Sequence, residues 1–223
     1  MNQAIGAALP LALGVAISPI PIIAAILMLL SDRARATGPG FLVGWVGGIL
    51  LAVSLFSALS SLVPEGGQGG VSPIAGAVQI VLGVALTLMA ARQWRGRPRA
   101  GEEPALPGWM NAISSFSFAK ALGLGVLLSA LNPKNLLLGA GAGVAIGIAT
   151  GSVGTAAVAI LAYAAVASST VAVPILGFLV ASQRLKDPLD RLRAWLAANN
   201  ATIMSVLLLV LGVVLIGKGI AQF

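Results

Sequence analysis

A lysine set between amides and a proline, Asn132-Pro133-Lys134-Asn135, interrupts a long apolar run. A serine and two prolines, Ser18-Pro19-Ile20-Pro21, interrupt another. An amine in apolar surroundings has three uses. Its stem snorkels to an interface, it holds a backbone carbonyl that Pro133 sets free, or it faces an anionic group in a cavity as a fixed cation or protonation switch. A charge at the centre of a bilayer costs about 2.5–3.5 kcal/mol on insertion scales, so such a residue usually marks a pathway. No carboxylate inside an apolar run neutralises Lys134: Asp32, Glu65, Glu102, Glu103, Asp187 and Asp190 all fall in or beside the connections. Asn132 and Asn135 offer amide donors and acceptors next to it. The candidate substrate-binding residues are therefore Lys134, Asn132, Asn135, Pro133, Ser18, Pro19 and Pro21, with Ser129 added because its segment echoes that of Ser18. The chain has no His and no Cys, which removes imidazole bases, thiolate nucleophiles and nearly all transition-metal sites. No catalytic residue, metal or cofactor is expected.

Long apolar elements must position these residues. Of the 223 residues, 58% are hydrophobic and 9% charged, and the mean hydropathy is +1.02. Soluble domains run at about 45–50% apolar and about 25% charged, so a soluble enzyme is excluded. A membrane-spanning helix needs about 20 apolar residues, and six stretches qualify: 4–30, 38–62, 73–91, 121–148, 153–181 and 201–216. The expected fold is an all-α integral membrane protein forming one polytopic domain over 1–223.

The cations give the expected orientation, because cytoplasmic loops carry the Lys and Arg excess. Arg33 and Arg35 lie in the first connection. Arg92, Arg95, Arg97, Arg99 and Lys120 lie in or at the end of the third, and Arg184, Lys186, Arg191 and Arg193 lie in the fifth. The second and fourth carry none. Both termini are thus expected outside. Trp94, Trp109 and Trp195 flank the basic loops, and Trp45 lies near the expected cytoplasmic start of the second helix, where amphipathic rings anchor at the interface. The segment 186–196 reads as a short interfacial amphipathic helix within a loop at 182–200. No side-chain cation precedes the first apolar run, so that helix is expected to be retained rather than cleaved.

The halves echo each other. Residues 11–18 (LALGVAIS) parallel 122–129 (LGLGVLLS), and 81–86 (VLGVAL) parallel 210–215 (VLGVVL). Three helices per half is an odd number, so two equivalent halves must cross the membrane in opposite senses. The expectation is two inverted three-helix repeats, approximately 1–91 and 119–223, joined by the basic cytoplasmic loop 92–118. The first helix of each repeat, helix 1 and helix 4, is broken. Pro19 stands fourteen residues before Arg33 and Lys134 fourteen after Lys120, so each lies roughly 21 Å from a basic anchor at the helical rise. Both breaks therefore approach the midplane, where inverted-repeat transporters build their sites. Gly14 and Gly125 read as close-packing positions.

The stretches Pro107-Gly108-Trp109-Met110, 119–125 (AKALGLG) and 131–136 (LNPKNL), with the Ser18-Pro19 break, resemble the signature region of the glycopeptidolipid-addressing, or sulfolipid-addressing, protein family. That family is similar to the wider lysine-exporter (LysE) superfamily of small six-helix exporters. The lysine-exporter pattern in helix 1 is Pro-Gly-Pro, where this chain has Pro19-Ile20-Pro21. The resemblance implies facilitated movement of envelope lipids or glycolipids in a bacterial cytoplasmic membrane. The implied partners are membrane lipids, a lipid or glycolipid substrate, and a second copy or a lipid-export machinery. No nucleic acid is implied. Two alternatives stand beside this: an exporter of small polar solutes such as amino acids, and a non-transporting scaffold for lipid-export machinery.

Overall fold

The structure is a computed structural model and describes residues 2–60, 73–98 and 108–223. Arg99, Glu65, Glu102, Glu103 and Pro107 lie outside the described residues. The described chain is helical and contains no strand. The elements in order are α1 (Asn2–Ala16), α2 (Pro19–Leu29), α3 (Ala34–Ser60), α4 (Pro73–Arg95), a 3-10 segment (Gly108–Ser115), α5 (Phe118–Val126), a π segment (Leu127–Leu131), α6 (Pro133–Ala149) and α7 (Val153–Ile220). Ala181, with φ −136° and ψ 49°, divides α7 into two limbs, Val153–Ala181 and Arg184–Ile220. Four helices are long and apolar enough to cross a membrane, and six if each bent pair counts as one span. The bent pairs are α1 with α2, at 52°, and α5 plus the π segment with α6, at 61°. This is a helical membrane protein.

Proline chemistry dictates the breaks. Pro19 and Pro21 have no N–H to give, and each ring clashes with the carbonyl four residues back. The helix therefore stops at Ala16 and restarts with Ser18 in an extended conformation at the N-cap of α2. The second break has the same design. Asn132 is extended (φ −66°, ψ 123°), and Pro133 occupies the first turn of α6, where a missing N–H is tolerated.

The breaks set Ser18-Pro19 in the place of Asn132-Pro133. The echo in the sequence pairs Ser18 with Ser129 instead. The π segment Leu127–Leu131 carries the second helix three residues further before it breaks, which accounts for the difference.

Glycines set how close the helices come. A Cβ on Gly83 would lie 2.7 Å from the Gly212 carbonyl, and one on Gly212 would lie 2.8 Å from the Gly83 carbonyl. Gly76 and Gly219 repeat this reciprocity at 2.8 and 2.7 Å. These pairs form an antiparallel seam between α4 and the second limb. α3 lies parallel to the fourth helix: a Cβ on Gly40 would lie 2.7 Å from the Phe118 carbonyl, and one on Gly143 2.7 Å from the Val53 carbonyl. Helix 1 runs antiparallel to α6, with Gly14 against Leu138 and Leu11 against Gly141.

Two expectations need correction. Residues 184–200 are not a loop holding a short helix at 186–196 but part of one continuous helix, the second limb, which begins at Arg184. Leu189 and Leu196, seven apart on one face, are buried there, and that apolar stripe keeps the charged segment packed. Trp45 is no interfacial anchor. It is 0% exposed and stacks on Phe41 with ring centroids 6.1 Å apart.

Candidate functional site

At the first break the chain frees carbonyls that a continuous helix would have used. In an unbroken α-helix the Ser18 N–H would donate to Gly14 O. Here it turns to Ala16 O at 2.9 Å, leaving Gly14 O without its helical partner. Lys134 Nζ takes that carbonyl at 2.7 Å and also donates to Ser18 Oγ. From a third direction, Thr170 Oγ1 donates to Ala16 O at 2.6 Å. Helix 1 is thus held at its break by the fourth helix and by the first limb of α7.

The second break closes on itself. Asn132 Oδ1 accepts from the Lys134 backbone N–H at 3.0 Å, capping α6. Asn135 Nδ2 donates to Leu128 O at 2.8 Å. The π-register partner of that carbonyl would be the nitrogen of Pro133, which has no hydrogen, so the amide stands in for it. Ser18 Oγ lies 3.5 Å from Asn135 Oδ1, a contact at the limit of a hydrogen bond.

Of the candidate residues, the structure brings together Lys134, Ser18 and Asn135, which are 5%, 3% and 3% exposed. Pro19 and Pro21 are buried beside them in the first turn of α2. Asn132 is half-buried, with its side chain committed to the cap, and Pro133 is exposed. Ser129 does not join the cluster. Its hydroxyl turns back to Gly125 O at 2.8 Å and packs on Gly48. Gly14 and Gly125 do sit in close helix contacts, Gly14 on Leu138 and Leu211 and Gly125 on the Phe41 carbonyl. Gly14 adds something its type does not announce, a carbonyl for Lys134. Thr170 was not singled out from the sequence, although Ser168-Ser169-Thr170 is a polar triplet inside an apolar span.

Both partners of the Lys134 amine are neutral. Among the described residues the ion pair is Arg193–Asp190, at 2.8 Å on the surface. The described acids Asp32, Asp187 and Asp190 are exposed. The cluster can therefore accept an anion without first breaking a salt bridge. The other cation outside the basic connections, Lys218, reaches Ala7 O at 3.3 Å and ties the second limb to α1.

Fold and site define a class: an all-helical membrane protein whose two broken helices meet through a buried lysine. Within that class, the chain belongs to the family described as Sap, sulfolipid-1-addressing protein, whose model matches residues 8–221. No curated protein and no solved structure matches the chain.

Proposed function

We propose that the protein moves anionic envelope lipids or glycolipids across the bacterial cytoplasmic membrane, the headgroup passing the level where the two broken helices meet. One observation carries this reading: a buried amine held by a carbonyl and a hydroxyl, with no carboxylate partner among the described residues. Charge-assisted hydrogen bonds to an anion are roughly twice as strong as those between neutral groups. An anionic headgroup at Lys134 would therefore displace Gly14 O and Ser18 Oγ. The helix starts at Pro19 and Pro133 aim two positive dipole ends at the same level. The family description, sulfolipid-1 addressing, fits a substrate that carries a sulfate on an apolar body.

Six spans arranged as two inverted repeats support alternating access to such a level. The matched breaks and the reciprocal glycine seam favour that arrangement. The cation bias supports an orientation with both termini outside.

A scaffold reading draws on the same bonds, since Lys134 also works as a staple between helices 1 and 4. Export separates the two. Envelope lipids are compared in a deletion strain, its complement and a strain carrying an export-dead variant of normal abundance. Loss of a surface anionic lipid with its accumulation inside supports transport. Unchanged lipid distribution in the deletion strain would sink it.

A further inference from the structure

The two ends of the molecule are shut by different means. Away from the basic connections α1 lies directly on α6, with Leu11 against Gly141 and Gly14 against Leu138. The corresponding halves of the broken helices at the basic end are α2 and α5. Among the described residues these two do not pack on each other. The 3-10 segment crosses between them instead. It packs on α2, and α5 starts three residues after its end, with Phe118 against Gly40 of α3. Side chains at i and i+3 of a 3-10 helix eclipse, so Met110 and Ile113 point the same way. Both are buried, at 5% and 1% exposed. The segment is an apolar strap over the gap between α2 and α5.

Behind the strap the gap is filled from α3. At about 100° per residue, Phe41 and Trp45 fall between two lines of contact on that helix. One is Gly40 and Gly44 against α5, and the other is Gly38 against Leu29 of α2. Both rings are 0% exposed, and they stack on each other. In depth they stand between the strap and the break. α3 and the fourth helix run in one register, Gly40 meeting Phe118 where the strap ends and Gly48 meeting Ser129 in the π segment.

This closure is one that can be undone. A 3-10 helix makes poorer hydrogen bonds than an α-helix and seldom runs past about 3–4 residues; this one has eight. Its hydrogen bonds to described residues are local: Ser115 Oγ donates to Ala112 O at 2.8 Å, and Phe116 N to Ile113 O at 3.0 Å. Apolar contact seats it on α2. Trp45 Nε1 has no hydrogen-bond partner among the described residues. The closed gap carries that unmade bond, and water entering an opened gap would relieve it. We propose that residues 108–115 are a gate strap which, with the Phe41–Trp45 stack behind it, closes the cytoplasmic approach to the break. Lifting it admits the substrate from the cytoplasm while α1 and α6 stay shut. This rests on the transport reading above and names the gate of that path.

Thiol labelling tests the strap without any substrate. The chain has no native cysteine, so single cysteines report on the two ends separately. Ala121→Cys in α5 and Ala142→Cys in α6 stand at positions that are 0% exposed. The full chain in phosphatidylcholine nanodiscs is treated with a water-soluble maleimide, and both cysteines are expected to react slowly. Met110→Ala with Ile113→Ala should speed position 121 by about tenfold or more and leave position 142 slow. If that double variant does not fold, Ile113→Val should give the same order with a smaller factor. Trp45→Phe keeps the ring and removes the unanswered N–H, so it should slow position 121 further and melt no lower than wild type. An unchanged rate at position 121 in the strap variants overturns the proposal. Equal acceleration at position 142 does so too, since Met110 and Ile113 would then be ordinary packing. A Trp45→Phe chain that melts lower overturns the part given to the indole. Strap-controlled labelling in a chain that exports no lipid would retire the transport reading and leave the strap standing.

Discussion

Lys134 combines two duties that substitution can separate. As a staple it satisfies Gly14 O, and Lys134→Met would leave that carbonyl unanswered, at about 1–3 kcal/mol. As an anion site it would lose far more in export than in stability. Lys134→Met is therefore expected to lower the melting temperature modestly and abolish lipid export even when expression is raised to match wild-type abundance. Lys134→Arg should restore only part, because guanidinium is planar and bulkier than ammonium. Lipid export and protein level measured in the same cells decide this. Wild-type export by Lys134→Met at matched abundance would remove the lysine from the substrate path. Thr170→Val removes the other side-chain donor that holds the break, at about 0.5–1 kcal/mol, and Thr170→Ser should recover it in the same thermal melt. Lys134, Asn135 and the prolines were legible in the sequence because charges, amides and imino acids are rare in apolar runs. Thr170 was not. Its significance depends on which helix face meets the break, and a hydroxyl in a span is ordinary until that is known.

Among the elements, the α4–second limb seam makes the sharpest stability claim. A methyl group on Gly83 would press on the Gly212 carbonyl from 2.7 Å, and backbone cannot yield as a side-chain tip can. Gly83→Ala is expected to force the helices apart at about 1–3 kcal/mol. Gly217→Ala is the control: nothing lies within 4 Å of its Cβ position, and replacing a helical glycine by alanine gains about 0.5–1 kcal/mol. Thermal melts in detergent should move in opposite directions for the two variants. The broken helices were readable because Pro19, Pro21 and Pro133 act locally. The helix at 184–200 was read only as a short interfacial segment, 186–196, within a loop because the apolar run ends near Ala181, and hydropathy reports where a span stops rather than where a helix stops. Trp45 was misplaced for a related reason, since closeness to an expected interface does not say whether a ring faces lipid or core.

At the scale of the whole molecule the open choice is between bent spans and re-entrant loops. A re-entrant pair must reverse direction, close to 180°, whereas the two breaks turn the chain by only 52° and 61°. The packing directions agree with full crossings. Helix 1 opposes α6, the fourth helix runs with α3, and α4 opposes the second limb. Helices that cross in strict alternation give these directions. On the proposed six crossings the chain returns to its starting side, and the basic connections favour the exterior for both termini. Residues 97 and 187 should then face the cytoplasm and residue 151 the exterior. The chain has no native cysteine, so single cysteines report without background. Arg97 and Asp187 are exposed, and Gly151 has open space around its Cβ position, so Arg97→Cys, Asp187→Cys and Gly151→Cys should each fold. A membrane-impermeant maleimide applied to intact cells is expected to label Gly151→Cys alone, with the other two labelled after permeabilisation. Had the fourth helix been re-entrant, residue 151 would lie on the same face as residue 97, and both would be protected together.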